Sequence, residues 1–73
     1  MTRRRYTIVI EKGTRSYGAF VPDLPGCVAV AKTPRQTLIL IREAIELHLE
    51  DLRARGRPLP RATAMAEFVE VAV

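Results

Sequence analysis

The side chains best suited to catalysis in this 73-residue chain are its one cysteine, Cys27, and its one histidine, His48. A thiol held beside an imidazole is the arrangement of a nucleophile and its base. A lone cysteine next to a tight turn is, however, typical of a small buried core residue, and a histidine among apolar helical neighbours is typical of the edge of a core. One Cys and one His also fall short of the roughly four ligands of a zinc site. We therefore predict no Cys–His dyad and no metal centre.

Three carboxylates recur at spacings of three and four residues, at Glu43, Glu46 and Glu50. Such a cluster would suit acid–base or metal chemistry, but the same spacing is typical of the charged solvent face of an amphipathic helix, where Arg42 can pair with Glu46. The four glycines are scattered singly, so there is no glycine-rich phosphate loop. The residue types predict a binding protein and not an enzyme, without catalytic residues, metal or cofactor.

The chain is basic, with 12 Lys and Arg against 8 Asp and Glu and a formal charge of +4. A positive charge favours acidic partners or nucleic acid in a general way. The basic residues form a terminal run and a loop cluster, which solvated segments explain as well as a phosphate-binding surface does, and two Phe and two Tyr offer few platforms for base stacking. Nucleic-acid binding is therefore expected to be weak. The basic residues in question are Arg3, Arg4, Arg5, Arg53, Arg55, Arg57 and Arg61.

The small size of the chain predicts self-association. A domain of this length buries a small core, and domains of about 70 to 80 residues or fewer usually gain stability from disulfides, a metal or oligomerisation. The lone cysteine and lone histidine leave oligomerisation, so we expect a homo-oligomer, either a dimer or a tetramer. The lone cysteine also fits a reducing compartment. Without an apolar run of about 18 residues or a signal-peptide pattern, the expected location is the cytoplasm, away from membranes.

Three strands and a turn are predicted in the first half of the chain. Alternation over residues 6–11 and 16–21 favours two strands joined as a hairpin through Gly13. Residues 28–31 are apolar at every position, which predicts a third strand covered on both faces. Between the second and third strands, Asp23, Pro25 and Gly26 predict a stiff structural turn, because Pro-Gly suits the central positions of a type II turn.

A helix should begin after Thr33, which can cap it, with Pro34 at the first position and Gln36 completing a capping box. It should run to about Arg53, and Gly56 is placed to end it. Its predicted core stripe comprises Leu38, Ile41, Ile45, Leu49 and Leu52. A second apolar group lies around the helix from this stripe, and we predict it to be an association interface: Leu40, Ala44 and Leu47, with His48 beside them.

A closing strand is predicted over residues 67–73, where Val69, Val71 and Val73 alternate with Phe68 and Glu70. The element order is then β-β-β-α-β. The predicted fold class is α+β, with an antiparallel sheet of three to four strands and one helix packed on one face. All of it falls in a single domain over residues 1–73, with a basic N-terminal tail at residues 1–5.

Several of these segments together resemble the N-terminal domain of HicB-like antitoxins of bacteria and archaea. The resemblance rests on residues 6–11 (YTIVIE), 17–27 (YGAFVPDLPGC), 33–50 and 69–73 (VEVAV). Its most specific part is the loop VPDLPGCVA followed by a capped helix that contains IREAIELHLE. The order and spacing of these pieces cover nearly the whole chain.

The resemblance implies a truncated ribonuclease-H-like fold without a working active site. It further implies a type II toxin–antitoxin role, in which the chain neutralises a HicA-like toxin, an mRNA interferase, by masking its RNA-binding surface and catalytic histidine. Longer family members add a C-terminal DNA-binding domain that represses their operon, and this sequence is expected to have none.

Two other hypotheses stay open at the level of sequence. The first is an orphan, small oligomeric nucleic-acid-binding module of ribonuclease-H-like ancestry, favoured by the net charge. The second and weakest is residual nuclease activity in which Asp23 and Glu11 hold a metal ion.

Overall fold

The computed structural model describes residues 3–73, and its centre is a three-stranded antiparallel sheet. The strands β1 (Val9–Lys12), β2 (Tyr17–Phe20) and β3 (Val28–Ala31) are hydrogen-bonded in the order β1-β2-β3. The β1–β2 turn is closed by the Gly13 N–H, which donates to the Ser16 carbonyl at 2.7 Å. The hairpin and the third strand lie where the sequence predicts them, although β1 begins three residues later than predicted.

The helix α1 (Pro34–Ala54) crosses one face of this sheet. Thr33 caps it as predicted, because its hydroxyl accepts from the Gln36 backbone N–H at 3.1 Å. The helix ends at Gly56, which adopts a φ of +69°. The Gly56 N–H donates to the Arg53 carbonyl and the Arg57 N–H to the Leu52 carbonyl, which is the hydrogen-bond pattern of a Schellman motif.

Two consecutive turns connect β2 to β3. The Leu24 N–H donates to the Val21 carbonyl at 3.0 Å, and the Cys27 N–H donates to the Leu24 carbonyl at 3.1 Å. Pro25 and Gly26 occupy the centre of the second turn, and Gly26 has a φ of +83°, as the second central residue of a type II turn requires. The two turns place Leu24 and Cys27 in the core while the backbone of the loop stays at the surface.

The core between helix and sheet is small. Its buried apolar residues are Ala19, Val21, Leu24, Cys27 and Ile41, with Tyr6, Ile8, Ala29, Ala44, Ile45 and Leu49 packed partly against them. Thr37 is also fully buried, and its hydroxyl is satisfied because it donates to the Thr33 carbonyl at 2.7 Å. Among the members of the predicted core stripe, Leu38 is half exposed instead, so the buried face of α1 is rotated toward Thr37 and Ala44.

Two predictions about the sheet are wrong for the single chain. The closing strand over residues 67–73 does not form, because no strand lies beside it and residues 65–73 are all exposed. The third strand is not covered on both faces, since Val28 and Val30 are 62% and 64% exposed. The α+β class and the helix on one face are confirmed, and the sheet has three strands.

The last part of the chain extends away from this core. The radius of gyration is 14.0 Å, whereas a compact chain of this length has about 11 Å. Residues 57–73 contain neither helix nor strand. Within residues 3–73, no helix has the length and apolar character that crossing a membrane requires.

Because the core is this small, replacing Ile41 should be costly. Ile41 has no exposed surface, so Ile41→Ala removes buried methyl groups and leaves a cavity, which costs about 2 to 4 kcal/mol of unfolding free energy. Denaturant unfolding followed by circular dichroism measures this loss. Leu47→Ala on the exposed side of the same helix is the control and should change the free energy by less than about 0.5 kcal/mol. Equal losses for the two variants would contradict the core described above.

Candidate protein-binding surfaces

The first candidate surface is the face of the sheet that α1 leaves uncovered. The strand register places Val9 opposite Phe20 and Phe20 opposite Val28, so these three side chains form a row across all three strands. In the next row on the same face, Gly18 lies between Glu11 of β1 and Val30 of β3. Phe20, Val28 and Val30 are all exposed. We call the set Val9, Phe20, Val28 and Val30 the outer sheet face; it is an apolar surface of the kind that commonly marks a protein-binding site.

The second candidate surface is a groove of about 1120 Å³ between α1 and the segment that leads into β1. Its apolar lining comprises Tyr6, Ile8, Leu38, Ile45, Leu49 and Leu59. Four arginines and two glutamates also line it: Arg3, Arg4, Arg42 and Arg53 with Glu46 and Glu50. This β1 groove therefore has an apolar floor and a rim with a net positive charge.

A smaller groove of about 410 Å³ lies at the opposite edge of the sheet, between β3 and the first turns of α1. It is lined by Val30, Ala31, Lys32, Gln36, Ile39 and Leu40. Of the four residues predicted to form an association interface, Leu40 is therefore at this groove. Leu47 is 66% exposed, His48 is half-buried, and Ala44 packs partly on the core. Self-association through these four residues stays a prediction.

Asp23 holds the segment that follows the helix against the sheet. One carboxylate oxygen accepts from the backbone N–H groups of Thr63 and Ala64 at 3.1 and 3.0 Å, and the other accepts from the Thr63 hydroxyl at 2.9 Å. These bonds favour the charged form, so the backbone N–H of Ala64 and then the Thr63 hydroxyl hold the pKa of Asp23 below its ordinary value. Asp23 thus connects the β2–β3 loop to residues 40 positions later, a role that the sequence analysis missed.

The N-terminal segment adds two more bonds to the same connection. The Tyr6 hydroxyl donates to the Pro60 carbonyl at 2.6 Å, and the Thr7 hydroxyl donates to the Ala64 carbonyl at 2.8 Å. Arg4 also donates to the Pro60 carbonyl, at 3.3 Å. Residues 60–64 are therefore fixed at both ends, and the exposed segment 65–73 begins directly after this anchor. Residues 1 and 2 of the predicted basic tail lie outside the described residues.

Cys27 and Asp23, two of the residues considered for chemistry, both occupy structural positions in the part of the chain that the structure describes. Cys27 is buried, and its burial raises the pKa of the thiol, which disfavours the nucleophilic thiolate. Both oxygens of Asp23 already accept hydrogen bonds. Over residues 3–73, no group of three His, Cys, Asp or Glu side chains could hold a metal ion. The described surfaces present exposed apolar side chains and strand edges with unpaired backbone groups.

Asp23→Asn should loosen the anchor at residues 63–64. The variant keeps the shape of the side chain but removes the charge that strengthens the three hydrogen bonds. Amide hydrogen exchange at Thr63 and Ala64 should accelerate several-fold, whereas Asp51→Asn, which removes only an exposed ion pair with Arg55, should leave it unchanged.

Acid should have the same effect on the wild-type chain. The folded-state pKa of Asp23 lies below its unfolded value, so its stabilising contribution is fully present above the unfolded pKa of about 4. That contribution is lost as the pH falls through the folded pKa. If amide hydrogen exchange at Thr63 and Ala64 changes neither in Asp23→Asn nor when the pH is lowered below about 4, Asp23 does not anchor this segment.

Comparisons with known proteins give the family of the chain. The family described as HicB-like antitoxin of bacterial toxin–antitoxin system matches residues 6–72. A UPF0150 protein of Thermoplasma acidophilum is 39% identical over 61 residues, which cover 82% of this chain and 88% of that protein. A UPF0150 protein of Helicobacter pylori is 54% identical over 46 residues, covering 63% of this chain and 64% of that protein.

An uncharacterized 14.9 kDa protein of Haemophilus phage HP1 is 31% identical over 64 residues, which cover 88% of this chain and 48% of that protein. No solved structure matches the chain. Because the family match extends from the segment before β1 to the penultimate residue, the chain belongs to the HicB-like antitoxin family of bacterial toxin–antitoxin systems.

Proposed function

We propose that this chain neutralises a HicA-type mRNA interferase in the prokaryotic cytoplasm by covering the toxin's RNA-binding surface, without catalysing a reaction. The observation that carries the proposal is the outer sheet face. In a family of antitoxins, an apolar face on the rigid part of the fold is the natural place for a partner protein to bind.

The construction of this face suits a binding role. Val9, Phe20 and Val28 sit on three strands whose positions are fixed by backbone hydrogen bonds, so little side-chain or backbone ordering is needed when a partner arrives. Phe20 lies in the central strand with a valine on each side. A rigid aromatic residue ringed by smaller apolar contacts is the usual composition of an interface centre.

The size of the chain favours a steric mechanism. A stable interface covers about 800 Å² on each partner, which is roughly an eighth of the 6507 Å² surface of this chain. A toxin covered over that area loses access to RNA whether or not its own active site is altered.

The proposal predicts that a HicA-type protein is encoded beside this chain, and co-expression of the two proteins tests it. Val28→Asp places a charge in the outer sheet face and should weaken the complex at least about tenfold, since burying an unpaired charge in an interface centre is costly. Affinity co-purification and relief of toxin-induced growth arrest measure the effect.

Leu47→Asp is the matched control, because it makes a similar change at a similarly exposed position on the helix, away from the outer sheet face. It should bind and protect like the wild-type chain. Failure of the wild-type chain to bind the neighbouring toxin contradicts the function, while a complex that resists Val28→Asp and is lost with Leu47→Asp places the toxin on the helix instead. Circular dichroism of each variant checks that it is folded.

A further inference from the structure

The β1 groove has the geometry of a site from which one strand is missing. The helix packs mainly over β3 and β2 and least over β1, so the apolar side chains at the β1 side of α1, Leu38, Ile45 and Leu49, line open space. In the described sheet β1 pairs with β2 along one edge, and its outer edge presents unpaired backbone groups. A strand added at that edge would both cover the groove and form hydrogen bonds with the unpaired backbone groups of β1.

Residues 65–73 have the properties of the missing strand. Val69, Val71 and Val73 form one apolar face, and Phe68, Glu70 and Ala72 form the other. All nine residues are exposed, and Phe68 is 99% exposed. So many exposed β-branched and aromatic side chains at a period of two are typical of a strand with one buried face and are unfavourable in water.

The charges of the segment match those of the groove. Glu67 and Glu70 are the ionisable side chains of residues 65–73. The groove carries four arginines against two glutamates. Glu67 shares a face with Val69, Val71 and Val73, so it would enter the groove beside the arginines and add electrostatic complementarity at this edge, whereas Glu70 lies on the opposite face of the strand.

The segment starts directly after the anchor at residues 60–64 and lies outside the groove of its own chain. Tyr6 and Ile8 line the groove, whereas Thr7 lies between them in sequence and bonds to Ala64. The Pro60 carbonyl accepts from Tyr6, and Ala64 is bonded to Thr7 and Asp23. Residues 60–64 therefore cross the segment that leads into β1. In the single chain the segment beyond these bonds is exposed throughout and does not line the groove.

We propose that residues 65–73 of one chain pair with the outer edge of β1 in a second copy, with the Val69, Val71 and Val73 face in the β1 groove of that copy. The exchange is reciprocal, because the second copy offers the same segment and the same groove, and it produces a dimer with two-fold symmetry. Each sheet thereby gains its fourth strand from the partner copy, a case of strand addition to an exposed edge.

The first test is the mass of the full-length chain in solution. The wild-type chain should have twice the 8.2 kDa mass of one chain by sedimentation equilibrium. Val71→Asp should weaken the dimer at least about tenfold, since it places a charge on the face that enters the groove. Leu47→Asp, which lies in the predicted helix interface, should leave the dimer intact. A monomeric wild-type chain, or a dimer lost with Leu47→Asp and kept with Val71→Asp, overturns the proposal.

A mixing experiment distinguishes exchange from a segment that folds back on its own chain. Val71→Asp damages the segment and spares the groove, and Leu38→Asp, at a half-exposed position, damages the groove and spares the segment. Each variant alone should be a monomer. Their equimolar mixture should contain a dimer joined by the one intact exchange.

Nuclear Overhauser effects between the Val71 and Leu49 methyl groups, measured in a mixture of labelled and unlabelled wild-type chains, should be intermolecular. No dimer in the mixture of variants, or contacts that are wholly intramolecular, overturns the proposal.

Discussion

A single helix must cover a three-stranded sheet, and it does not cover it evenly. The close packing of Ile41 and Thr37 against β2 and the β2–β3 turn fixes α1 over one side of the sheet. Small residues at Ala19 and Ala29 allow that approach. This position of α1 leaves the side of the helix nearest β1 uncovered and the opposite face of the sheet exposed. The position of the small core therefore determines which surfaces remain available for binding.

Features controlled by local hydrogen bonds were predictable from the sequence. The Thr33 cap, the Gly56 helix end and the turn at Pro25 and Gly26 each depend on residues three to five positions apart, and their sequence signals are correspondingly direct. The burial of Thr37 was not predicted. Its hydroxyl donates to the Thr33 carbonyl four residues earlier, and this bond allows a polar side chain to be buried. The core stripe predicted from hydrophobic periodicity therefore did not include that position.

Features that depend on distant partners were not predictable in the same way. Asp23 bonds to residues 40 and 41 positions away, and nothing in the loop sequence indicates a connection to Thr63 and Ala64. Likewise the valine pattern at the end of the chain predicted a closing strand that the single chain does not form, because a strand needs a neighbouring strand that the pattern cannot identify. The apolar pattern of β3 predicts coverage on two faces, but in the single chain one of those faces is exposed.

The two proposed interactions use different parts of one sheet and can coexist. Strand exchange occupies the edge of β1 and the groove beneath it, whereas toxin binding uses the outer sheet face across β1, β2 and β3. With Val69, Val71 and Val73 in the groove, Phe68, Glu70 and Ala72 would lie on the opposite side of the added strand, which is the side of the outer sheet face. The exchanged strand would then extend the outer sheet face by one strand, which adds two apolar side chains and one carboxylate to it.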